Sequence, residues 1–144
     1  MAANMKPIKS GVVTFAYGRK YRTGGIHKGL DFRAPTGTPI YACVAGTVVH
    51  AGRHAYRKGW GYSYGLHVII DNVRFVDKSA GLWASYCHLS KVNVKVGQKV
   101  KRGDVLGLSG NTGRSTGAHL HLEIQSGRTW SPHRHVNPAK WVKA

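Results

Sequence analysis

Apolar residues along this chain come in short runs, with almost none of the three- and four-residue spacing that marks an amphipathic helix. Runs rich in valine, isoleucine, threonine and aromatic residues lie at 12–15, 39–44, 46–50, 66–71, 83–88, 99–100, 105–109 and 118–124, punctuated by many of the nineteen glycines. Such runs, broken by turn residues, are expected to be strands. The last is the best defined, because His119, His121 and Glu123 alternate with Leu120, Leu122 and Ile124. Successive strand side chains point to opposite faces, so both histidines are expected on one face and the leucines against a core. Gly37, between Pro35 and Pro39, marks a loop after Asp31, and 53–64 and 73–82 read as further connections. With no internal repeat and no shift in composition, the pattern predicts one all-β domain over residues 1–144, mainly antiparallel, with little helix.

Composition narrows the class. A chain of 144 residues with 42% hydrophobic and 10% aromatic residues can bury a core and is not a disordered polycation. Its 22 lysines and arginines against 5 acidic residues give a net charge of +17, which implies a polyanionic partner: nucleic acid, an anionic membrane or a bacterial wall polymer. Two cysteines, Cys43 and Cys87, cannot form a disulfide framework and are expected as buried thiols, with a single bridge as the alternative. Residues 1–15 lack the apolar stretch of a secretory signal, and no run approaches the roughly 18 apolar residues of a membrane span. Synthesis in the cytoplasm and no stable membrane insertion are therefore expected.

The acidic inventory is Asp31, Asp71, Asp77, Asp104 and Glu123, so a site needing several carboxylates has few to draw on. Histidine, in contrast, occurs nine times. Two clusters stand out, His27 with Asp31 in Gly25-Ile26-His27-Lys28-Gly29-Leu30-Asp31, and His119-Leu120-His121. Positions two or four apart on an extended segment share a face, so each pair can present two side chains to one point. Two imidazoles and a carboxylate, with one position left for water, are the ligand set of a catalytic zinc site, whereas structural zinc favours four protein ligands and cysteine. A metal so held lowers the pKa of water towards neutrality and supplies hydroxide to attack a carbonyl carbon. His88 closes the run 83–88, where it is either a hydrogen-bonded structural group or part of the site. Cys87 beside it is expected on the opposite strand face and is rejected as a ligand. His67 is expected at the surface or a groove edge, opposite Leu66, Val68 and Ile70, and His50, His54, His133 and His135 read as accessory.

His27-Lys28-Gly29-Leu30-Asp31, Tyr86-Cys87-His88-Leu89-Ser90 and His119-Leu120-His121-Leu122-Glu123 resemble, in order and spacing, the three signatures of the lysostaphin-type (LytM-like) zinc metalloendopeptidases that cleave peptidoglycan peptides. The glycine-bearing stretches 96–107 and 109–117 and the closing Val136-Asn137-Pro138 extend the resemblance over about residues 17–141. It implies a β domain with a substrate groove walled by 12–26, 53–64 and 109–118, and one Zn2+ held by His27, Asp31 and His121. His88 and His119 then become the catalytic histidines. His119 and His121 lie about two residue rises, ~6–7 Å, apart on one face, so one can hold metal while the other reaches the water or the scissile amide. His119 is the expected general base, and His88 the group that orients or, as imidazolium, stabilises the tetrahedral intermediate. Some relatives carry an upstream tyrosine for the oxyanion; Tyr21 is expected in that role rather than Tyr17, with packing on the groove wall as the alternative. The implied activity is hydrolysis of an amide in the peptide stem or cross-bridge of peptidoglycan, in a bacteriophage endolysin released through a holin or, alternatively, a tail-associated lysin. The expected protein is a monomer without a separate wall-binding domain, its charge serving instead as a salt-sensitive attachment to anionic wall polymers.

Other classes fare worse. A glycosidase needs two carboxylates flanking its bond, and Glu123 has no convincing mate. His-Glu-x-x-His and Gly-x-Ser-x-Gly are both absent. The basic and aromatic residues of 53–62 would suit phosphate and base stacking, but equally a groove wall gripping anionic polymer, and nucleic acid is not the expected partner. A catalytically inactive LytM-like regulator would have lost ligands, whereas all five site residues are present. The stretch 96–107 also resembles the hairpins of lipoyl and biotinyl carriers, without a lysine in the acceptor-turn context.

Overall fold

The computed structural model describes residues 6–56, 62–73, 81–127, 129–140 and 142. Among these residues, ten strands run in the order β1 (Val13–Phe15), β2 (Leu30–Arg33), β3 (Pro39–Tyr41), β4 (Gly46–Gly52), β5 (Leu66–Asp71), β6 (Leu82–Val92), β7 (Lys99–Val100), β8 (Val105–Ser109), β9 (His119–Ser126) and β10 (His135–Val136). They form one sheet in the order β1-β2-β9-β6-β5-β4-β7, with β10 beside β9 and β8 bridging β3 and β6. Every pairing is antiparallel. Three single-turn 3-10 segments are the only helical turns among the described residues, and no helix there is long and apolar enough to cross a membrane.

The expected strands at 66–71, 99–100 and 105–109 are β5, β7 and β8 to the residue. Two strands had no expected counterpart. In β2, Leu30-Asp31-Phe32-Arg33 carries only two apolar residues between a glycine and a proline, too short a signal alone; it forms because Leu30 and Phe32 drop into the core opposite Leu122 and Leu120. The two-residue β10 likewise exists through its pairing with Ile124 and Gln125. Strand β6 outruns its expected span because it pairs with β5, β9 and β8 in turn.

One sheet face packs Phe32, Val48, Val68, Ile70, Ala84, Tyr86, Leu120, Leu122 and Ile124 into the main core. The other carries a smaller cluster of Tyr64, Ile69, Trp83, Cys87 and Trp130, and beside it the histidines. Cys43 lies in the main core, its Sγ 3.0 Å from the Tyr86 hydroxyl, so the sheet separates it from Cys87 and both thiols are free and buried. The expected connections at 57–61 and 74–80, with Trp60 and Asp77, and the terminal Trp141 lie outside the described residues.

Candidate metal centre and catalytic site

Strands β2 and β9 pair Asp31 with His121 and Arg33 with His119. Residues directly opposite in an antiparallel pair share a face, so burying Leu30, Phe32, Leu120 and Leu122 on one side forces the carboxylate and the imidazole together on the other. His27 does not lie on the same extended segment as Asp31, as its spacing suggested, because the chain bends at Gly29 before β2 begins. The bend brings the backbone hard against β9: a Cβ on Gly29 would sit 2.5 Å from the Leu122 carbonyl oxygen and 2.7 Å from His121 Cε1. The buried His27 ring is then fixed by Nδ1–H donating to the Ala16 carbonyl at 3.0 Å and by edge contact with Phe15 at 4.7 Å.

Three donor atoms converge. His27 Nε2 lies 3.2 Å from both Asp31 Oδ1 and His121 Nδ1, and His121 Nδ1 lies 2.7 Å from Asp31 Oδ1. The far nitrogen of each imidazole is already committed, that of His27 to Ala16 and that of His121, as Nε2–H, to Glu123 Oε2 at 2.8 Å. With those protons spent, three lone pairs face one point and need a shared cation between them. The donor set, two imidazole nitrogens and one carboxylate oxygen, suits zinc. Glu123, left without a partner by sequence reasoning, is thus the carboxylate behind a candidate ligand, and it is held in turn by the Tyr64 hydroxyl and Gln125 Nε2. Its two-residue offset from His121 was the available signal.

Charge follows geometry. Burial opposes ionisation of Asp31, but hydrogen bonds from His121 and His27 hold its carboxyl well below the usual carboxylate range. Burial likewise opposes a charged His121, yet Asp31 and Glu123 on either side raise its pKa to about 9. In the metal-free protein a proton on His121 therefore stands where a cation would. A folded pKa above the unfolded ~6.5 gives stability that is fully present below about pH 6.5 and lost as pH rises towards 9; Asp31, with a depressed pKa, contributes above about pH 4 and loses that contribution as pH falls. The melting temperature of metal-free protein is accordingly expected to decline from pH 6.5 to 9, and that of zinc-loaded protein to lack this decline, because metal replaces the proton. Parallel thermal melts of the two forms decide it, and identical pH profiles would contradict a charged His121.

His88 and His119 flank this cluster. His119 donates Nδ1–H to the Gly117 carbonyl at 2.8 Å, which leaves Nε2 3.7 Å from Asp31 Oδ2. His88 sits at φ 65, where the pairing of β6 with β5 shifts register between Leu66 and Val68. A positive φ outside glycine costs about 1–3 kcal/mol and is found where a side chain must be re-aimed. Here it brings the His88 ring within 4.8 Å of His119 and 5.9 Å of His121, with Nδ1–H donating to the Thr112 carbonyl at 2.6 Å. Burial, and then the neighbouring His121 and His119, lower its pKa to about 4 against the pull of that carbonyl. Of the two expected roles this favours orientation over an imidazolium, since a neutral His88 offers Nε2 as an acceptor.

The same irregularity corrects two further expectations. Cys87 pairs directly with His121 and lies on its face, not opposite it; the thiol is buried, and burial together with Glu123 and Asp31 raises its pKa well above normal. His67 is fully buried rather than at the surface, stacked 4.2 Å from His50 and edge-on to Tyr64 at 5.1 Å, because those rings cover this part of the sheet. Tyr21, 46% exposed, stacks on Phe15 and meets His27 edge-on at 6.0 Å. Burial, with the charges of Asp31 and Glu123, raises its pKa, so it remains a phenol able to donate. Tyr17 instead bonds His135 Nδ1 at 2.7 Å and ties the 16–27 loop to β10.

Residues 25–138 match the family model described as Peptidase family M23. Over 98 residues the chain is 45% identical to the peptidoglycan DD-endopeptidase ShyA of Vibrio cholerae, covering 68% of this chain and 20% of that protein, so it spans about a fifth of that relative's length. Among solved structures, the catalytic domain of the antimicrobial peptidase lysostaphin from Staphylococcus simulans is similar with a TM-score of 0.75 at 33% identity, covering 89% of each chain. A mutant catalytic domain of the prophage-encoded M23 protein EnpA from Enterococcus faecalis is similar with a TM-score of 0.69 at 39% identity, covering 88% of each.

Proposed function

Because the chain belongs to peptidase family M23, we propose that His27, Asp31 and His121 hold a zinc ion and that the protein hydrolyses an amide in the peptide stem or cross-bridge of bacterial peptidoglycan. The observation that carries this reading is the convergence of three donor atoms within 3.2 Å of one another, with two further imidazoles beside them. Bound there, zinc would polarise a carbonyl and lower the pKa of water. His119, its Nδ1 anchored on Gly117, is the general base that takes the proton of the attacking water at Nε2. Neutral His88 accepts a hydrogen bond at Nε2 and orients that water, and the Tyr21 phenol donates to the carbonyl oxygen as charge develops on it. An inactive regulatory role fits less well, since a chain without catalysis has no use for a His88 held at positive φ beside the cluster.

The substrate reading draws support from ShyA, a peptidoglycan DD-endopeptidase, and from lysostaphin, an antimicrobial peptidase. Similarity to a prophage-encoded relative supports the finer proposal of a phage lysin. The +17 charge supports direct, salt-sensitive attachment to anionic wall polymers. Purified peptidoglycan from several bacterial types, digested with the protein before and after chelation, tests the activity. New amino termini should appear, vanish on metal removal and return with added zinc; digestion unaffected by chelation, or no new termini in any wall, would refute it.

A further inference from the structure

The strand that supplies Asp31 supplies a second residue on the histidine-bearing face with no assigned work. In β2 the buried Leu30 and Phe32 face the core, so Asp31 and Arg33 share the opposite face. The register pairs Asp31 with His121 and Arg33 with His119. Arg33 therefore lies about two residue rises, ~6–7 Å, along the strand from the ligand pair, beside the histidine that acts as base. It is exposed, and its guanidinium makes no hydrogen bond or ion pair with any described residue. The nearest carboxylate in sequence, Asp31, is taken by His27 and His121. Two other arginines differ in this respect: Arg134 is bound to Ser126 and Thr129, and Arg19 lies over the Phe15 ring.

In a chain with 22 basic residues a free cation is unremarkable in itself. What sets Arg33 apart is its position, opposite His119 in the β2–β9 register and two residues along the same strand face from the candidate ligand Asp31. A guanidinium is also suited to one kind of anion, since its planar fork meets a carboxylate through two parallel hydrogen bonds. We infer that Arg33 binds a free carboxylate of the substrate close to the cleaved amide, and so directs the enzyme to cross-links that carry such a group rather than to neutral or amidated ones. This rests on the peptidase reading above.

A cross-linked stem-peptide dimer purified from diaminopimelate-type peptidoglycan, used as the free acid and after carbodiimide amidation of its carboxyls, tests the inference. The wild-type protein should show a KM about fivefold lower for the free acid, the scale of one charge-assisted, partly solvated pair. Arg33→Gln should raise the free-acid KM to the amidated value with little change in kcat, and leave the amidated substrate unaffected; Arg33→Lys should recover part of the difference. Lys99→Gln, on β7 at the far edge of the sheet, removes the same charge and should leave the preference intact. Equal KM values for both substrates in the wild type, or equal losses on both in Arg33→Gln, would overturn the inference and leave the peptidase reading standing. Cleavage of neither, nor of any whole wall, would bring both down.

Discussion

His121→Ala is expected to lose both zinc and hydrolysis, whereas His119→Ala keeps its zinc and loses only hydrolysis. The two residues leave the same face of β9 two positions apart, yet they are bonded differently. His121 Nδ1 lies between Asp31 and His27, and its Nε2 is braced by Glu123, so its removal deletes one donor of three and leaves two carboxylates, Asp31 and the buried Glu123, without their shared partner. Bound zinc should fall from about one per chain towards zero, and turnover by at least about a thousandfold, since metal polarisation contributes several kcal/mol at the transition state. His119 touches the cluster only at 3.7 Å from Asp31 Oδ2 and hangs from a loop carbonyl, so its loss should spare the metal and lower kcat by about 10²–10⁴, the usual range for a general base. Metal analysis beside kinetics separates the cases, and a zinc-free His119→Ala would reverse the assignment.

Gly29→Ala should damage fold and site together. The added methyl would meet the Leu122 carbonyl at 2.5 Å and the His121 ring at 2.7 Å. Neither can give way: one belongs to the β2–β9 ladder, the other is held by Asp31 and Glu123. The strand and the bend must therefore part, at a cost of about 1–3 kcal/mol as for other overpacked sites. A shift near 1 Å between His27 and His121 is enough to cost ~100-fold in rate. Gly52→Ala, where nothing lies within 4 Å of the new methyl and no positive φ is needed, should melt and turn over like the wild type. Equal behaviour of the two variants would show that Gly29 is not the close approach that sets the site.

Strong local patterns were legible directly. The alternation His119, Leu120, His121, Leu122 forecasts which side chains of β9 face the core, because a strand's period of two leaves no other choice once the leucines are buried. Weak ones were not: the four residues of β2 gain their hydrogen bonds from a strand some 90 residues on, and the two of β10 are too few to carry a period of their own, so no local pattern announces them. For the same reason Glu123 read as a surplus acid. Its work is defined by Tyr64, 59 residues away, and by a ring that is itself defined by Asp31.

The sequence by itself determined an all-β chain, the candidate ligands and their two flanking histidines, since these follow from residue type, short-range periodicity and a family resemblance in Gly29-bearing and His-x-His motifs. Only the tertiary structure decided how they meet. Periodicity assigns each side chain a face, but a bend or a bulge resets that assignment: the turn at Gly29 brings His27 over Asp31, and the positive φ at His88 puts it and Cys87 on the same side of the sheet. Charge was settled there too. Whether an imidazole is neutral, as His88 is, or protonated, as His121 is without metal, depends on burial and on the carboxylates folding brings beside it, and those distances exist only once β2, β6 and β9 are paired.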